Sequence, residues 1–173
     1  MRLDQQVAVV TGSTKGLGRE MAVRFAAEGA RVVVHGTDPD RAEEVRQACG
    51  PNAAVFLGDI GEPAIASALM DFAVEHFGRL DILVNNAGIV RMEPFLDFQA
   101  DTWRRMIDIH LSGTFFCAQA AACRMSLTGG GRILNISSIA GSFGQFGFAA
   151  YSSVKAGIEA LTRVMAVELA SHH

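Results

Sequence analysis

Side chains that could move a proton are concentrated between residues 132 and 157. Tyr151 and Lys155 are four residues apart, so on a helix their side chains share one face. A neighbouring ammonium favours the phenolate form of a tyrosine, which makes a phenol usable as an acid and a base near neutral pH. A serine pair, Ser137 and Ser138, precedes them and could hold a substrate oxygen. The alternative is a tyrosine and a lysine on an ordinary surface helix.

A glycine-rich stretch near the start of the chain could bind phosphate. It reads TGSTKGLG over residues 11–18, with glycines at 12, 16 and 18, which is not the G-x-G-x-x-G spacing of the usual dinucleotide fingerprint. Glycines nevertheless allow a tight turn and a close phosphate approach, and a following helix offers free N–H groups. Lys15 lies inside this loop and would face the phosphate. Taken alone, the stretch is equally consistent with an ordinary glycine-rich loop.

The end of the second predicted strand bears on which dinucleotide would bind. An acidic residue there usually binds the adenine ribose hydroxyls and favours NAD. The sequence is His35-Gly36-Thr37-Asp38, with Gly36 where the acid is expected and Asp38 next to Pro39 as a helix cap. Together with Lys15, the missing acid favours NADP(H) over NAD(H), although Thr37 stands where an arginine would have been decisive.

Strand and helix patterns alternate along the whole chain. Short β-branched or apolar runs predict strands at Val7–Thr11, Arg31–His35, Ala54–Leu57, Asp81–Asn85 and Arg132–Ser137. Helical patterns lie between them at 16–29, 40–49, 63–77 and 99–125, with a last helix at 150–170. Continuous apolar strands alternating with helices predict a doubly wound, Rossmann-type α/β fold, with about five parallel strands and helices on both faces. We expect one domain over residues 1–173.

Composition and charge exclude several classes of protein. The 173 residues are 50% hydrophobic, carry a formal net charge of −3 and contain no basic block. We therefore expect no nucleic-acid or membrane partner, and neither a signal peptide nor a membrane span is apparent. The three cysteines contain no C-x-x-C pair, which favours inert thiols in a reducing cytoplasm and no metal site.

Five motifs together resemble the short-chain dehydrogenase/reductase family over almost the whole chain. They are TGSTKGLG at 11–18, Asp59-Ile60, NNAG at 85–88, the serine pair at 137–138 and YSSVK at 151–155. The overall sequence is most similar to 3-oxoacyl-(acyl-carrier-protein) reductases, followed by sugar or polyol dehydrogenases and hydroxysteroid dehydrogenases. The resemblance implies an oxidoreductase that transfers a hydride between a nicotinamide dinucleotide and a carbonyl or secondary alcohol.

The resemblance also implies roles for individual residues. Ser138, Tyr151 and Lys155 would be catalytic, with Ser137 structural. Tyr151 and Lys155 would also bind the cofactor, Lys155 at the nicotinamide ribose. The residues expected to bind the cofactor lie in the glycine loop, after the second strand and at the next two strand ends: Gly12, Ser13, Thr14, Lys15, Gly16, Leu17, Gly18, Thr37, Asp59, Ile60, Asn86, Ala87 and Gly88. Asp59 would accept a hydrogen bond from the adenine amino group.

Two departures from the family pattern stand out. His110 occupies a position where many relatives have an asparagine that carries a water toward the lysine; histidine could serve in the same relay or only fill the space. Beyond residue 173 relatives usually continue through further strands and a substrate-covering segment, so we expect an incomplete chain with an uncovered fifth strand. A non-catalytic dinucleotide-binding or oligomerisation fragment is therefore the alternative to an enzyme.

Two further expectations concern contacts around the site and between subunits. Phe143, Phe146 and Phe148 could line an apolar substrate pocket or pack in the core. The two long helical stretches, 99–125 and 150–170, carry small residues that permit close approach of a second copy. We expect a homodimer or homotetramer formed through them.

Overall fold

The computed structural model describes residues 1–172 and contains a five-stranded parallel sheet. The strands are β1 (Val7–Val10), β2 (Arg31–Gly36), β3 (Ala53–Leu57), β4 (Ile82–Asn85) and β5 (Arg132–Asn135). Their order in the sheet is β3-β2-β1-β4-β5, so the chain reverses its direction of winding between β1 and β4. The predicted fold class is confirmed. His173 lies outside the described residues.

Helices connect the strands in sequence. They are α1 (Gly16–Ala27), α2 (Pro39–Cys49), α3 (Pro63–Phe77), α4 (Ala100–Met106), α5 (Gly113–Met125) and α6 (Ala149–Glu168). Short 3-10 helices occupy Phe95–Asp97, Ile139–Gly141 and Ala170–His172. Asp38 caps α2 as the sequence indicates, because its carboxylate accepts the Arg41 N–H at 3.1 Å.

The sheet buries an apolar layer on each face. Alternate residues of a strand point to opposite sides. Val7 and Val9 pack with α3 and α5, whereas Ala8 packs with α1 and α2. These two layers explain why the strands are apolar throughout rather than alternating.

The stretch predicted as one helix over 99–125 differs in detail. A π-helical segment, Ile107–Ser112, joins α4 to α5 without a break in the helical rod. A π-helical turn is wider than an α-helical one, so it rotates the residues that follow it around the axis. Ile109 and His110 are buried within this segment, next to the end of β4.

Strand β5 lies at the edge of the described sheet. It pairs with β4 in register, with Asn85 opposite Asn135, and no described strand pairs with its other side. Leu134 is half exposed there. The strand ends two residues earlier than predicted, although the Ile136 N–H still donates to the Asn85 carbonyl at 2.9 Å.

Asp81 anchors the start of the sheet. Its buried carboxylate accepts the Val7 N–H at 2.8 Å, beside an ion pair with Arg79 at 2.6 Å. We expect Asp81→Ala to lower the free energy of unfolding by about 1–3 kcal/mol, because it leaves the buried Val7 N–H without an acceptor. Urea denaturation measures this loss.

The exposed Asp4 provides the matched control. Asp4→Ala should change the free energy of unfolding by less than about 0.5 kcal/mol. Equal effects of the two substitutions would show that the Asp81 contact contributes nothing specific to stability.

Candidate active site

A cavity of about 380 Å³ lies at the carboxyl ends of the first four strands. Parallel sheets of this kind bind ligands where the winding reverses, which here is the gap between β1 and β4. Twelve residues predicted to bind a cofactor line the cavity: Gly12, Thr14, Lys15, Gly16, Leu17, Gly18, Thr37, Asp59, Ile60, Asn86, Ala87 and Gly88. Six further lining residues were not predicted: His35, Gly36, Gly58, Ile89, Arg105 and Ile109.

The glycine loop packs against the residues that follow β4. Gly12 has a positive φ of 63°, and a Cβ there would lie 2.7 Å from the Ala87 Cα. A Cβ at Gly18 would overlap the Asn86 amide nitrogen and lie 2.5 Å from the Gly12 carbonyl oxygen. The two glycines therefore permit a close packing that no other residue type allows.

The first turn of α1 is open toward the cavity. Gly16 has φ +54°, and apart from its two chain neighbours and the backbone of its own helix no atom of the described residues lies within 4 Å of a Cβ built on it. Lys15, the residue that precedes the helix, makes no capping hydrogen bond through its side chain, and the first turn contains no acidic residue. Free N–H groups at a helix start, next to such a space, fit the pyrophosphate of a dinucleotide.

Ser13 lies behind the loop rather than in the cavity. Its hydroxyl oxygen accepts the His35 N–H at 2.9 Å, while its own N–H donates to the His35 carbonyl at 2.8 Å. The side chain is fully buried and is not part of the lining. Ser13 thus ties the loop to β2 through both its hydroxyl and its backbone N–H.

The His35 side chain, at the end of β2, contacts the glycine loop directly. Its Nδ1 accepts the Gly12 N–H at 3.2 Å, so the neutral ring carries its proton on Nε2. Burial lowers the pKa of His35 to about 4, although the Gly58 backbone and the charge of Asp59 act to raise it. The imidazole is therefore neutral at physiological pH and remains an acceptor for the loop.

A steric contact explains why glycine, and not an acidic residue, stands at the end of β2. A Cβ at Gly36 would lie 2.5 Å from the Thr14 methyl group, so the Thr14 side chain occupies the space a longer residue would need. Thr37 and Lys15 line the same cavity. This part of the wall therefore presents hydroxyl and ammonium groups rather than a carboxylate.

Asn86 and Thr11 fasten β4 to the loop. The Thr11 hydroxyl oxygen accepts the N–H groups of Asn86 and Ala87, each at 3.0 Å. The Asn86 side chain donates to the carbonyls of Thr11 and Gly12 at 2.9 and 3.1 Å. Sequence reasoning missed the role of Thr11, which stands at the head of the glycine motif.

Asp59 is held at the far end of the cavity by two donors. Its carboxylate accepts the Gly61 N–H at 3.0 Å and pairs with Arg105 at 2.5 Å. Partial burial raises the pKa of Asp59, but the hydrogen bonds from Arg105 and Gly61 outweigh it and hold the pKa below its usual value. Asp59 is therefore a carboxylate at neutral pH.

Tyr151, Lys155 and His110 form one cluster beside the cavity. The Lys155 Nζ lies 5.6 Å from the centre of the Tyr151 ring, and the His110 ring centre lies at the same distance in an edge-on arrangement. Lys155 is only 4% exposed, and its amine donates to the Ile136 carbonyl at 2.6 Å. Burial lowers the pKa of Lys155.

His110 connects this cluster to the cavity. Its Nε2 lies 2.7 Å from the carbonyl oxygen of Ile89 and 3.0 Å from the Ile89 N–H, so either neutral tautomer has a partner there. Burial lowers the pKa of His110 to about 4; the Ile89 backbone raises it, and the charge of Lys155 lowers it further. Gly88 leaves room for the ring, since a Cβ there would overlap it.

The two serines after β5 have different partners. The Ser137 hydroxyl donates to the Glu159 carboxylate at 2.8 Å, which places it in the contact with α6. The Ser138 hydroxyl accepts the Ala140 N–H at 3.2 Å, at the start of the 3-10 helix that packs on α6. Only the Ser137 side chain is therefore held in a contact between elements.

The three phenylalanines before α6 separate into two groups. Phe148 packs edge-on against Tyr151, with ring centres 5.5 Å apart. Phe143 and Phe146 are 70% and 81% exposed, so they belong to the surface rather than to the core. The segment is joined to the loop after β4 by the Glu93 N–H, which donates to the Gly147 carbonyl at 3.1 Å.

The described residues offer neither a metal centre nor a membrane-spanning helix. Residues 1–172 contain no group of three or more His, Cys, Asp or Glu side chains that could hold a metal ion. None of the helices in this part of the chain is both long enough and apolar enough to cross a membrane.

Comparison with known proteins identifies relatives along nearly the whole chain. The family model described as short chain dehydrogenase matches residues 6–173. The (2S)-[(R)-hydroxy(phenyl)methyl]succinyl-CoA dehydrogenase subunit BbsD of Thauera aromatica is 39% identical, over 98% of this chain and 69% of its own length. A 3-oxoacyl-[acyl-carrier-protein] reductase of Synechocystis is 38% identical, over 98% of this chain and 70% of its own.

A solved structure agrees with the sequence relatives. The crystal structure of a proposed short-chain alcohol dehydrogenase from Sinorhizobium meliloti 1021 matches with a TM-score of 0.95 at 34% identity. The match covers 98% of this chain and 69% of that one. Fold, motif order and sequence identity thus agree, and this chain belongs to the short-chain dehydrogenase/reductase family of NAD(P)-dependent oxidoreductases.

Proposed function

We propose that the chain interconverts a carbonyl and a secondary alcohol with NADP(H), using Tyr151 as the general acid and base. The observation that carries this proposal is the buried Lys155 amine, 5.6 Å from the Tyr151 ring, next to a cavity built on a glycine loop. General acid–base chemistry by such a phenol contributes about 10²–10⁴ in rate.

The cofactor would lie in the cavity along the carboxyl ends of β1 to β4. When bound, a nicotinamide dinucleotide donates or accepts a hydride. The first turn of α1 would bind its pyrophosphate through free N–H groups, with Asn86, Ala87 and Gly88 forming the opposite wall. Asp59 and Ile60 lie at the far end of the lining, where the adenine would bind.

Each residue of the cluster has a proposed task at a stated atom. The Tyr151 hydroxyl gives a proton to the substrate oxygen or takes it back. Lys155 keeps a positive charge beside the phenol and orients the nicotinamide ribose, while the Ser138 hydroxyl holds the substrate oxygen. His110 has a partner on Ile89 in either tautomer, which supports a role in passing a proton toward Lys155.

The substrate class we favour is a 3-oxoacyl or 3-hydroxyacyl thioester. The names of the relatives from Thauera aromatica and Synechocystis both specify acyl thioesters, on coenzyme A or on acyl-carrier protein. The exposed rings of Phe143 and Phe146, on the segment that leads to Tyr151, are suited to an acyl chain. Sugar or polyol and steroid-like alcohols are the next candidates.

We propose NADP(H) rather than NAD(H) because of the residues that line the cavity near the end of β2. Thr14 covers Gly36, so no carboxylate can stand where one would bind a ribose hydroxyl and repel a phosphate. Lys15 and Thr37 line the cavity and can bind a 2′-phosphate.

A cytoplasmic homodimer or homotetramer, formed through α5 and α6, is the proposed state. The two helices share an apolar groove whose lining includes Phe115, Leu161 and Val164. Half of the Val164 side chain is exposed, and Val167 on the next turn is more exposed still.

Replacing Tyr151 tests the catalytic assignment. Tyr151→Phe should lower turnover of a 3-oxoacyl thioester by about 10²–10⁴, because it removes only the proton-transferring oxygen. Affinity for NADPH, measured by calorimetry, should remain within about twofold of the unchanged chain. Turnover is followed by the absorbance of the reduced nucleotide.

Two outcomes would contradict this assignment in different ways. Undiminished turnover in the phenylalanine variant would exclude the phenol as acid and base. Tight nucleotide binding without turnover of any carbonyl by the unchanged chain would instead support a non-catalytic dinucleotide-binding module.

Replacing Lys15 tests the proposed preference for NADP(H) over NAD(H). Lys15→Ala should weaken NADP⁺ binding by about tenfold and NAD⁺ binding by less, because it removes a cation that can bind the 2′-phosphate. Arg19→Ala is the matched control, since the Arg19 guanidinium is paired with Glu20 at 2.6 Å. A preference for NAD⁺ in the unchanged chain, or an equal effect of both substitutions, would remove the basis for NADP.

The lowered pKa of His110 should make the free energy of unfolding depend on pH. Its lowered pKa means that between about pH 6.5 and 4 the unfolded chain binds a proton that the folded chain excludes, so stability falls as pH falls through this window. His110→Asn should reduce that loss by on the order of 2 kcal/mol in urea titrations. The exposed His76 provides the control substitution, His76→Asn, because this change removes no buried imidazole. An unchanged slope for both variants would show that His110 titrates normally.

A further inference from the structure

Arg105 joins two distant segments of the chain in the wall of the cavity. It lies on α4 and pairs with Asp59, 46 residues earlier, with the Nη2 and Oδ2 atoms 2.5 Å apart. Both side chains line the cavity, together with Ile60. Asp59 belongs to a motif that is visible in the sequence, whereas no sequence pattern indicates Arg105 as its partner.

The guanidinium lies against the loop that carries Asp59. A Cβ on Gly61 would be 2.7 Å from the Arg105 Nη1 atom, so the arginine rests on the glycine backbone. Eight residues further along the helical rod, a Cβ on Gly113 would lie 2.9 Å from the Ile60 carbonyl oxygen. The loop from Asp59 to Gly61 is thus packed against this rod at two points, and Arg105 supplies the charged one.

The Asp59 carboxylate keeps acceptor capacity after these contacts. An ionised carboxylate offers about four lone-pair positions. The Gly61 N–H occupies one on Oδ1, and Arg105 occupies one on Oδ2. The remaining positions can accept a donor from a ligand, and the two bound donors prevent the carboxylate from rotating freely.

We propose that Arg105 is a positioning residue for the purine of the dinucleotide. By fixing the Asp59 carboxylate in the cavity wall, Arg105 makes the site select a 6-amino purine over a 6-oxo purine. An amino group at position 6 donates to a carboxylate, whereas an oxo group there is an acceptor and meets it with repulsion. This inference rests on the proposed dinucleotide function and adds a residue to its base-binding end.

The charge of the pair serves orientation more than stability. The side chains of Arg105 and Asp59 are 44% and 36% exposed, and ion pairs at such positions contribute about 0–1 kcal/mol to folding. A merely structural arginine would therefore affect the melting temperature slightly and the choice of base not at all. The ratio of affinities for two bases separates the two roles.

The experiment compares NADP⁺ with its hypoxanthine counterpart, deamino-NADP⁺, by calorimetry. The unchanged chain should bind NADP⁺ about tenfold more tightly, the value expected for one hydrogen bond to a charged acceptor. Arg105→Met keeps an apolar stem of similar length but removes every donor, and it should bring the ratio to within about twofold. Arg105→Lys, which retains a charge but not the fork of donors, should give an intermediate ratio.

Arg104 supplies the matched control on the same helix. It pairs with Asp101 at 3.0 Å on the exposed side, so Arg104→Met should keep the tenfold ratio. Circular dichroism establishes that each variant is folded. If Arg105→Met does not fold, the lysine variant decides, because a ratio equal to that of the unchanged chain would overturn the inference.

The other outcomes separate this inference from the proposed function. No binding of either nucleotide by the unchanged chain would overturn both. Equal binding of the two nucleotides by the unchanged chain would overturn the inference and leave dinucleotide binding intact. A tenfold preference that survives in Arg105→Met would show that Arg105 only supports the fold.

Discussion

The contact between the glycine loop and the residues after β4 is the constraint on which the site depends. Gly12 and Gly18 bring the loop backbone against Ala87 and Asn86, and the Thr11 hydroxyl accepts two N–H groups from the same segment. The contact spans the point where the winding of the sheet reverses. It leaves the first turn of α1 free to face the cavity, because the loop's own hydrogen bonds go to β2 and β4 instead.

The cluster of Tyr151, Lys155 and His110 is likewise tied to backbone at the ends of strands. Lys155 and His110 both take their fixed hydrogen bonds from backbone that follows a strand, at Ile136 and Ile89. Both partners are main-chain carbonyls, so neither contact depends on the placement of another side chain. Burial also keeps His110 neutral, so its Nε2 can pair with either the N–H or the carbonyl of Ile89.

Charges around the cavity are arranged by region. The end near β2 presents Lys15 and the hydroxyls of Thr14 and Thr37, whereas the end near β3 presents a carboxylate already paired with Arg105. A dinucleotide with an anionic centre and an adenine amino group matches this distribution.

Sequence alone determined the fold class, the order of strands and helices, and most of the residues around the cavity. Local signals suffice for these, because apolar runs, glycine punctuation and motifs at strand ends each lie within a few residues. Tertiary structure alone decided the rest. The π-helical segment that buries His110, the covering of Gly36 by Thr14 and the pairing of Arg105 with Asp59 each depend on packing between elements far apart in the chain. Sequence periodicity cannot reveal such contacts, because it reports only which residues within one helix or strand face the core. Each of these side chains would fit a helix or a loop equally well without its distant partner.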